Sequence, residues 1–355
     1  VSLAVQVIED AEEVEIERTR GGHGGTSVRA SCARRITNIH TMHGKHEPAG
    51  AQSGLSAAWA AARRRDHMYV VFGANGNTGK VAASTLLERG KKVRVVARDP
   101  KKVADLAARG AEVVTADVLD VDSVAKALAG AEGAYLLVPP DMSSNDLVGR
   151  GRKIVDTYVA ALGKSPVPHA VVLSSVAAQH AAGTGPIVIT HHAETNLPKA
   201  SGTTFTFVRA AYFMENILGN VPAMKGDGVL PVFGGGEDYP FPMIATKDIG
   251  EVAAEALLAP PKEHAWIELS GPKEYALADA ARFASKALGR EVKPLVLPLD
   301  AMVPTLTQYG ISANVAGLYR EMTEGLGKGL VTFEGKGKAV RGKVTLEEVL
   351  APALG

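Results

Sequence analysis

Gly73-Ala74-Asn75-Gly76-Asn77-Thr78-Gly79 sets glycines three residues apart, directly after the apolar run Tyr69-Val70-Val71-Phe72. Each glycine answers a separate demand. Gly73 lets a strand turn sharply, Gly76 lets backbone approach a phosphate, and Gly79 lets the next helix lie close to the sheet. With Asn75, Asn77 and Thr78 the loop would open a helix, whose free N–H groups and positive dipole end suit a pyrophosphate. A glycine triplet alone is weak, but one that joins a strand to a helix is the context of a dinucleotide site. No Gly-Lys-Ser/Thr follows at the needed spacing, which excludes a Walker A loop.

The end of the second strand, about 20 residues on, is the next diagnostic position, where an acid favours NAD. This chain has Arg98 there. A guanidinium suits the extra 2′-phosphate of NADP, so NADP(H) is the expected cofactor and NAD the less favoured one. A solvated surface arginine is the alternative. Asp99 precedes Pro100 and reads as a helix cap. Asp117, ending the third strand, either accepts from an adenine amino group or caps a turn. Val138-Pro139-Pro140 ends the fourth strand beside the expected path of the adenosine ribose, though prolines there also simply stop a strand.

The elements that must position these residues are short apolar strands alternating with helices. Strands are expected at 69–72, 93–97, 112–116, 133–138, 169–174 and 203–208, and helices at 80–89, 121–128 and 147–162, with another opened by Asp99-Pro100 and closed by Gly110. This is the pattern of an α/β protein with a Rossmann-type, doubly wound parallel sheet. Past Arg209 the alternation loosens. Residues 226–242, rich in Gly and Pro, read as loop or hairpin. Helical segments follow at 249–258, 277–288 and 301–309, and strand-like ones at 265–269 and 292–297. The expected organisation is an NAD(P)-binding domain over 68–210 and a smaller C-terminal substrate region over 211–355, with 246–271 returning to the Rossmann sheet.

Residues 1–67 differ in character, being rich in Arg, Gly, Ala, Ser and His without a sustained period. They read as a disordered leader, or as upstream sequence with Met68 the true start. A targeting peptide fits less well, because Glu9, Asp10, Glu12, Glu13, Glu15 and Glu17 oppose it. His23, His40, His43 and His46 read as solvated coil, and no metal site is expected.

Composition narrows the function. Of 355 residues 46% are hydrophobic and 22% charged, the formal net charge is +1, and aromatics make up 5%. No basic field or stacking platform argues for nucleic acid. No long apolar run argues for a membrane span. The single cysteine, Cys32, fits a reducing compartment such as the cytoplasm.

The quoted residues resemble the NmrA-like group of atypical short-chain dehydrogenases, which includes quinone reductases and redox-sensing regulators. The resemblance runs from about Met68 to the C-terminus. Its marks are the 73–79 loop, Val96-Ala97-Arg98-Asp99-Pro100, Ala116-Asp117-Val118, Leu173-Ser174-Ser175, Arg209-Ala210-Ala211-Tyr212-Phe213-Met214-Glu215-Asn216, and Thr246-Lys247-Asp248-Ile249-Gly250. It implies NADP binding, with Val118 and Ser174 among the contacts, and a cleft between the sheet and the C-terminal region.

Short-chain dehydrogenases that act on alcohols typically use a tyrosine with a lysine four positions later. The tyrosines at 69, 135, 158, 212, 239, 275, 309 and 319 are followed at that spacing by Gly73, Pro139, Leu162, Asn216, Met243, Asp279, Ala313 and Thr323. A standard carbonyl-reductase mechanism is therefore not expected. Many relatives carry a lysine near the nicotinamide ribose, and matching back from Ser201-Gly202 puts His191 at that place, beside His192. An imidazole there could hydrogen-bond the ribose or a quinone oxygen; ordinary helix-start residues are the alternative. Tyr212, Phe213, Asn216 and Phe233 are candidates for the substrate wall or for core packing.

The leading expectation is an NADPH-dependent reductase of a quinone or similar conjugated acceptor. The second is an NADP-binding redox sensor that acts through a protein partner. A nucleotide-sugar epimerase fits less well without the Tyr/Lys pair. The sequence leaves open a homodimer.

Overall fold

The computed structural model describes residues 67–355. The reading of the leader, with its histidines and Cys32, lies outside the described residues. The described residues begin with β1 (Met68–Phe72), α1 (Asn77–Glu88) and β2 (Lys92–Val96). A 3-10 turn over Pro100–Val103 then leads into α2 (Ala104–Ala108) and β3 (Glu112–Val114). Next come α3 (Val121–Leu128), β4 (Ala131–Leu136), α4 (Leu147–Lys164), β5 (His169–Ser175), α5 (Val188–Asn196) and β6 (Thr204–Ala210). The expected order of elements is present, with shifts of a few residues at their ends.

The remainder contains β7 (Tyr212–Phe213), α6 (Val221–Gly226), β8 (Val229–Phe233), β9 (Phe241–Ile244) and α7 (Thr246–Leu258). It continues with β10 (Ala265–Ser270), β11 (Glu274–Tyr275), α8 (Leu277–Leu288), β12 (Lys293–Leu297) and α9 (Met302–Gln308). It ends with α10 (Ala313–Gly327), β13 (Lys338–Arg341) and α11 (Leu346–Leu354).

The main sheet has eight strands in the order β13-β10-β6-β5-β4-β1-β2-β3, and every pairing in it is parallel. From β1 the chain winds outward through β2 and β3, then crosses back to place β4 on the other side of β1. The crevice beyond the carboxyl ends of β1 and β4 is thus the topological switch point, where open α/β sheets bind ligands.

Strand alternation builds two cores. Val70 and Phe72 face the layer of α3, α4 and α5, while Tyr69 and Val71 face that of α1 and α7. Phe72 meets Tyr158 of α4 edge-on at 5.4 Å. Helices α1 and α7 approach closely because Gly250 has no side chain. A Cβ there would lie 2.5 Å from Val81 Cβ and 2.6 Å from the Thr78 carbonyl oxygen.

Residues 226–242 are not a hairpin. They hold β8, which pairs in parallel with the distant β12 as a separate two-stranded sheet. Gly228 and Gly234, at φ of +67 and +80, bound that strand, so the glycines read as loop signals are its end stops. The sequence reading also did not locate α10, β13 or α11. Among the described residues no helix is long and apolar enough to cross a membrane, and no group of three or more metal-ligating side chains forms.

Candidate active site

The 73–79 loop leaves β1 at the switch point. Gly73 has φ +66, a left-handed turn, and a Cβ on it would strike Leu137 at 2.7 Å. Gly79 would place a Cβ 2.2 Å from the Gly73 carbonyl oxygen, so only glycine lets α1 seat against the end of β1. Gly76 behaves differently. Its φ of −92° suits any residue, and a Cβ would meet nothing nearer than the Gly73 carbonyl oxygen at 3.4 Å. It caps α1 without any side-chain hydrogen bond, leaving the first-turn N–H groups free of side-chain acceptors among the described residues. An open backbone face at a bare helix start fits a pyrophosphate. Asn75 is exposed at the rim, and Asn77 opens the first turn. The Thr78 side chain turns inward, where its hydroxyl accepts from Tyr135 Oη at 3.1 Å.

Arg98 is exposed just beyond β2, and no hydrogen bond or ion pair engages it among the described residues. Asp99 caps the following turn by accepting from the Lys101 N–H at 2.9 Å, as its place before Pro100 implies. Asp117 is exposed and accepts from the Leu119 N–H at 2.9 Å, a turn contact that engages one carboxylate oxygen. Val118 packs against the neighbouring core. Beyond β4, Val138 touches two clusters, Pro139 is half-buried and Pro140 exposed.

Ser174 was expected to meet the cofactor, but the structure ties it inward. Its hydroxyl donates to Glu194 Oε1 at 2.6 Å, and Ser174 is buried. Glu194 also accepts two hydrogen bonds from Arg209, at 3.0 and 2.7 Å, and one from Trp266 Nε1 at 2.9 Å. Arg209 further donates to Glu334 at 2.7 Å, with Glu268 4.0 Å away. Glu268 in turn accepts from the N–H groups of Gly335, Lys336 and Gly337. Burial alone would lower the Arg209 guanidinium, but Glu194 and Glu334 outweigh it and hold it above its ordinary value. This network clamps α5, β6, β10 and the 334–337 loop together beneath the site.

The two histidines part ways. His191 lies on α5 with Nδ1 2.9 Å from the Ala178 carbonyl oxygen. A carbonyl accepts only, so Nδ1 carries the proton, which leaves Nε2 as an acceptor in the neutral ring. The acceptor carbonyl belongs to the turn after β5, where Ala177 holds a left-handed φ of +67, a strained conformation of the kind that clusters at functional sites. His192 pairs instead with Asp156 of α4 at 2.9 Å through Nε2, and its Nδ1 lies 3.1 Å from the Asn196 side chain. The structure does not bring His192 to the site, because both ring nitrogens are taken up against α4 and within α5. Turnover is accordingly expected to fall on His191→Ala and to be unchanged on His192→Ala, as steady-state assays of both variants would check.

Tyr212 is half-buried, stacked edge-on against Phe241 at 5.5 Å. Burial pushes its phenol up to about 12, partly offset by the Asn216 side chain. Phe213 packs into the core around α1 and α7. Phe233 packs against the same buried cluster as Val138 and Tyr319 of α10, the last of which was not among the candidates. Burial likewise pushes the Tyr319 phenol up, and the Tyr212 hydroxyl lies close enough to add to the effect. Tyr319 failed the search for a lysine four positions on, and no other local signal marks it.

A doubly wound parallel sheet with an open glycine loop at its switch point defines a Rossmann-type α/β protein. The chain belongs to the NmrA-like family, whose family model matches residues 66–331. It is 26% identical over 259 residues to an NAD(P)H azoreductase of Xenophilus azovorans, covering 72% of this chain and 86% of that one. It is 26% identical over 266 residues to quinone oxidoreductase 2 of Escherichia coli, covering 74% and 89%. Among solved structures, the fold matches an NADPH-dependent quinone oxidoreductase of Escherichia coli complexed with NADPH. That match has a TM-score of 0.67 and 22% identity, over 81% of this chain and all of that one.

Proposed function

We propose that this chain is an NADPH-dependent reductase of a quinone or similarly conjugated acceptor. The observation that carries the reading is the glycine cradle, with Gly76 open at a helix start that no side chain caps among the described residues. NADP(H) is the cofactor that suits it, since Arg98 is exposed and free among the described residues where a 2′-phosphate would lie. The NADPH-dependent and NAD(P)H-dependent relatives point the same way. A reduced nicotinamide held there supplies a hydride to the acceptor.

The protein's own residues do the rest. The α1 start and Arg98 anchor the phosphates, and Asp117, Val118 and the 138–140 segment flank the adenosine side. His191 presents an acceptor nitrogen, and Tyr212, Phe213, Asn216 and Phe233 wall the 211–355 side. A quinone suits a site without a Tyr/Lys pair, because a hydroquinone oxyanion takes its proton from water. A cytoplasmic location fits the same chemistry. The missing pair also favours a second reading, an NADP-binding redox sensor that acts through a protein partner.

Steady-state oxidation of NADPH and NADH by the full chain with a panel of quinones tests the proposal. Turnover with NADPH well above NADH supports it. Tight NADPH binding with no turnover on any quinone rejects it in favour of the sensor. Arg98→Ala should weaken NADPH binding about 10- to 100-fold, the worth of a charge-assisted contact, and leave NADH binding unchanged. Titrating both cofactors against the variant checks this.

A further inference from the structure

Helix α10 is held against the rest of the fold by close contacts on one of its faces. The Gly183 N–H donates to Glu321 at 2.9 Å. A Cβ on Gly325 would lie 2.5 Å from the Gly183 carbonyl oxygen, and one on Gly185 would lie 2.0 Å from the Leu318 carbonyl oxygen. These glycines dock the helix directly on the segment that leads into α5, the helix carrying His191. The adjacent face carries Val315, Tyr319 and Thr323, spaced four residues apart. Val315 and Tyr319 join Val138, Phe233 and Leu299 in one cluster, and Thr323 Cγ2 lies 3.8 Å from where a Gly234 Cβ would sit. Tyr319 is only half-buried. The cluster it packs against thus joins residues just past the carboxyl end of β4 to the C-terminal region.

We propose that Tyr319 is a substrate-touching residue of the reductase site, donating a hydrogen bond from its phenol to the acceptor oxygen alongside Tyr212. The inference rests on the reductase reading above and names the donor which that reading leaves unassigned. Hydride addition to a quinone moves charge onto a carbonyl oxygen, and a neutral O–H aimed at that oxygen stabilises the developing oxyanion. A phenol is protonated through the physiological range, and burial raises both of these further. They therefore donate hydrogen bonds without surrendering protons, and the proton that completes the hydroquinone comes from water. This division of labour does without the Tyr/Lys pair, whose lysine exists to lower the pKa of its tyrosine.

The test compares Tyr319→Phe with Tyr309→Phe in the full chain, Tyr309 being 47% exposed at the surface. The probe is 1,4-naphthoquinone, used in two ways. In turnover, Tyr319→Phe should lower kcat by about 100-fold, the scale of losing an oxyanion donor. In calorimetric titration of the NADP+-loaded protein, which involves no chemistry, it should weaken naphthoquinone binding about fivefold, as the loss of one neutral hydrogen bond does. Its affinity for NADPH should stay that of the wild type, and Tyr309→Phe should match the wild type throughout. A Tyr319→Phe protein within twofold of an active wild type on both readouts overturns the proposal and leaves the reductase reading standing. A parallel loss of NADPH affinity would assign Tyr319 to packing and overturn it as well. A wild-type protein that neither binds nor reduces naphthoquinone removes both.

Discussion

Gly79→Ala is expected to lose NADPH binding and stability together, whereas Gly76→Ala should lose binding alone. At Gly79 the new Cβ would stand 2.2 Å from the Gly73 carbonyl oxygen and 2.6 Å from its carbon. These are backbone atoms, so no rotamer change relieves the contact, and α1 must move off the end of β1. Overpacking of this kind costs about 3 kcal/mol, a fall in Tm of roughly 10 °C for a domain of this size. At Gly76 the backbone is already in an ordinary extended conformation at φ −92, and the Cβ would meet only one atom, at 3.4 Å. The cost in stability is about 1 kcal/mol at most, that of a poorer helix cap. The methyl group would instead occupy the face that a phosphate must approach, and NADPH affinity should drop at least about tenfold. Thermal melting and NADPH titration of the two variants separate the two roles. Equal behaviour of the pair would contradict this account of the loop.

Arg209→Met should be the most destabilising single change in the site's foundation. Its side chain is 4% exposed and its partner Glu194 8%, so removal leaves a buried carboxylate with no counter-charge. Breaking one partner of such a pair typically costs 3–5 kcal/mol, or a Tm lower by roughly 10 °C. Glu194 would keep its contacts with Ser174 and Trp266, but Glu334 would lose its direct partner. Adding Glu194→Gln to Arg209→Met should recover part of the loss, because the stranded charge disappears. Urea unfolding of the two single variants and the double variant forms the cycle that measures this. Strict additivity would mean that the pair is not coupled.

What the sequence made legible, and what it hid, follows from the range of the interactions. The strands of the Rossmann half announce themselves through short apolar runs, and the 73–79 loop through glycines whose demands are local. The Asp99 cap likewise depends on residues one and two positions away. The pairing of β8 with β12 joins Val229 to Lys293, and no local pattern encodes a partner so far along the chain. Ser174 carried a family mark, yet the acceptor that claims its hydroxyl is Glu194, 20 residues on. Arg209 was visible as part of a motif, but its contact with Glu334 spans 125 residues. His191 and His192 are neighbours in sequence, and helical geometry turns one toward the β5 turn and the other onto α4. Tyr319 was hidden for a different reason. It was examined only for a lysine four positions later, while its surroundings arise from how α10 docks.

A reductase of this kind passes a hydride from a bound cofactor to a small acceptor. A single-turnover experiment tests this transfer most directly. The full chain is loaded with one equivalent of NADPH and mixed rapidly with excess 1,4-naphthoquinone, while fluorescence of the bound nicotinamide is followed. The account predicts that the signal decays faster than the same quinone consumes free NADPH, and that the decay slows in His191→Ala. Fluorescence that persists, with NADPH bound and still reduced, would contradict the claim and assign the site to sensing.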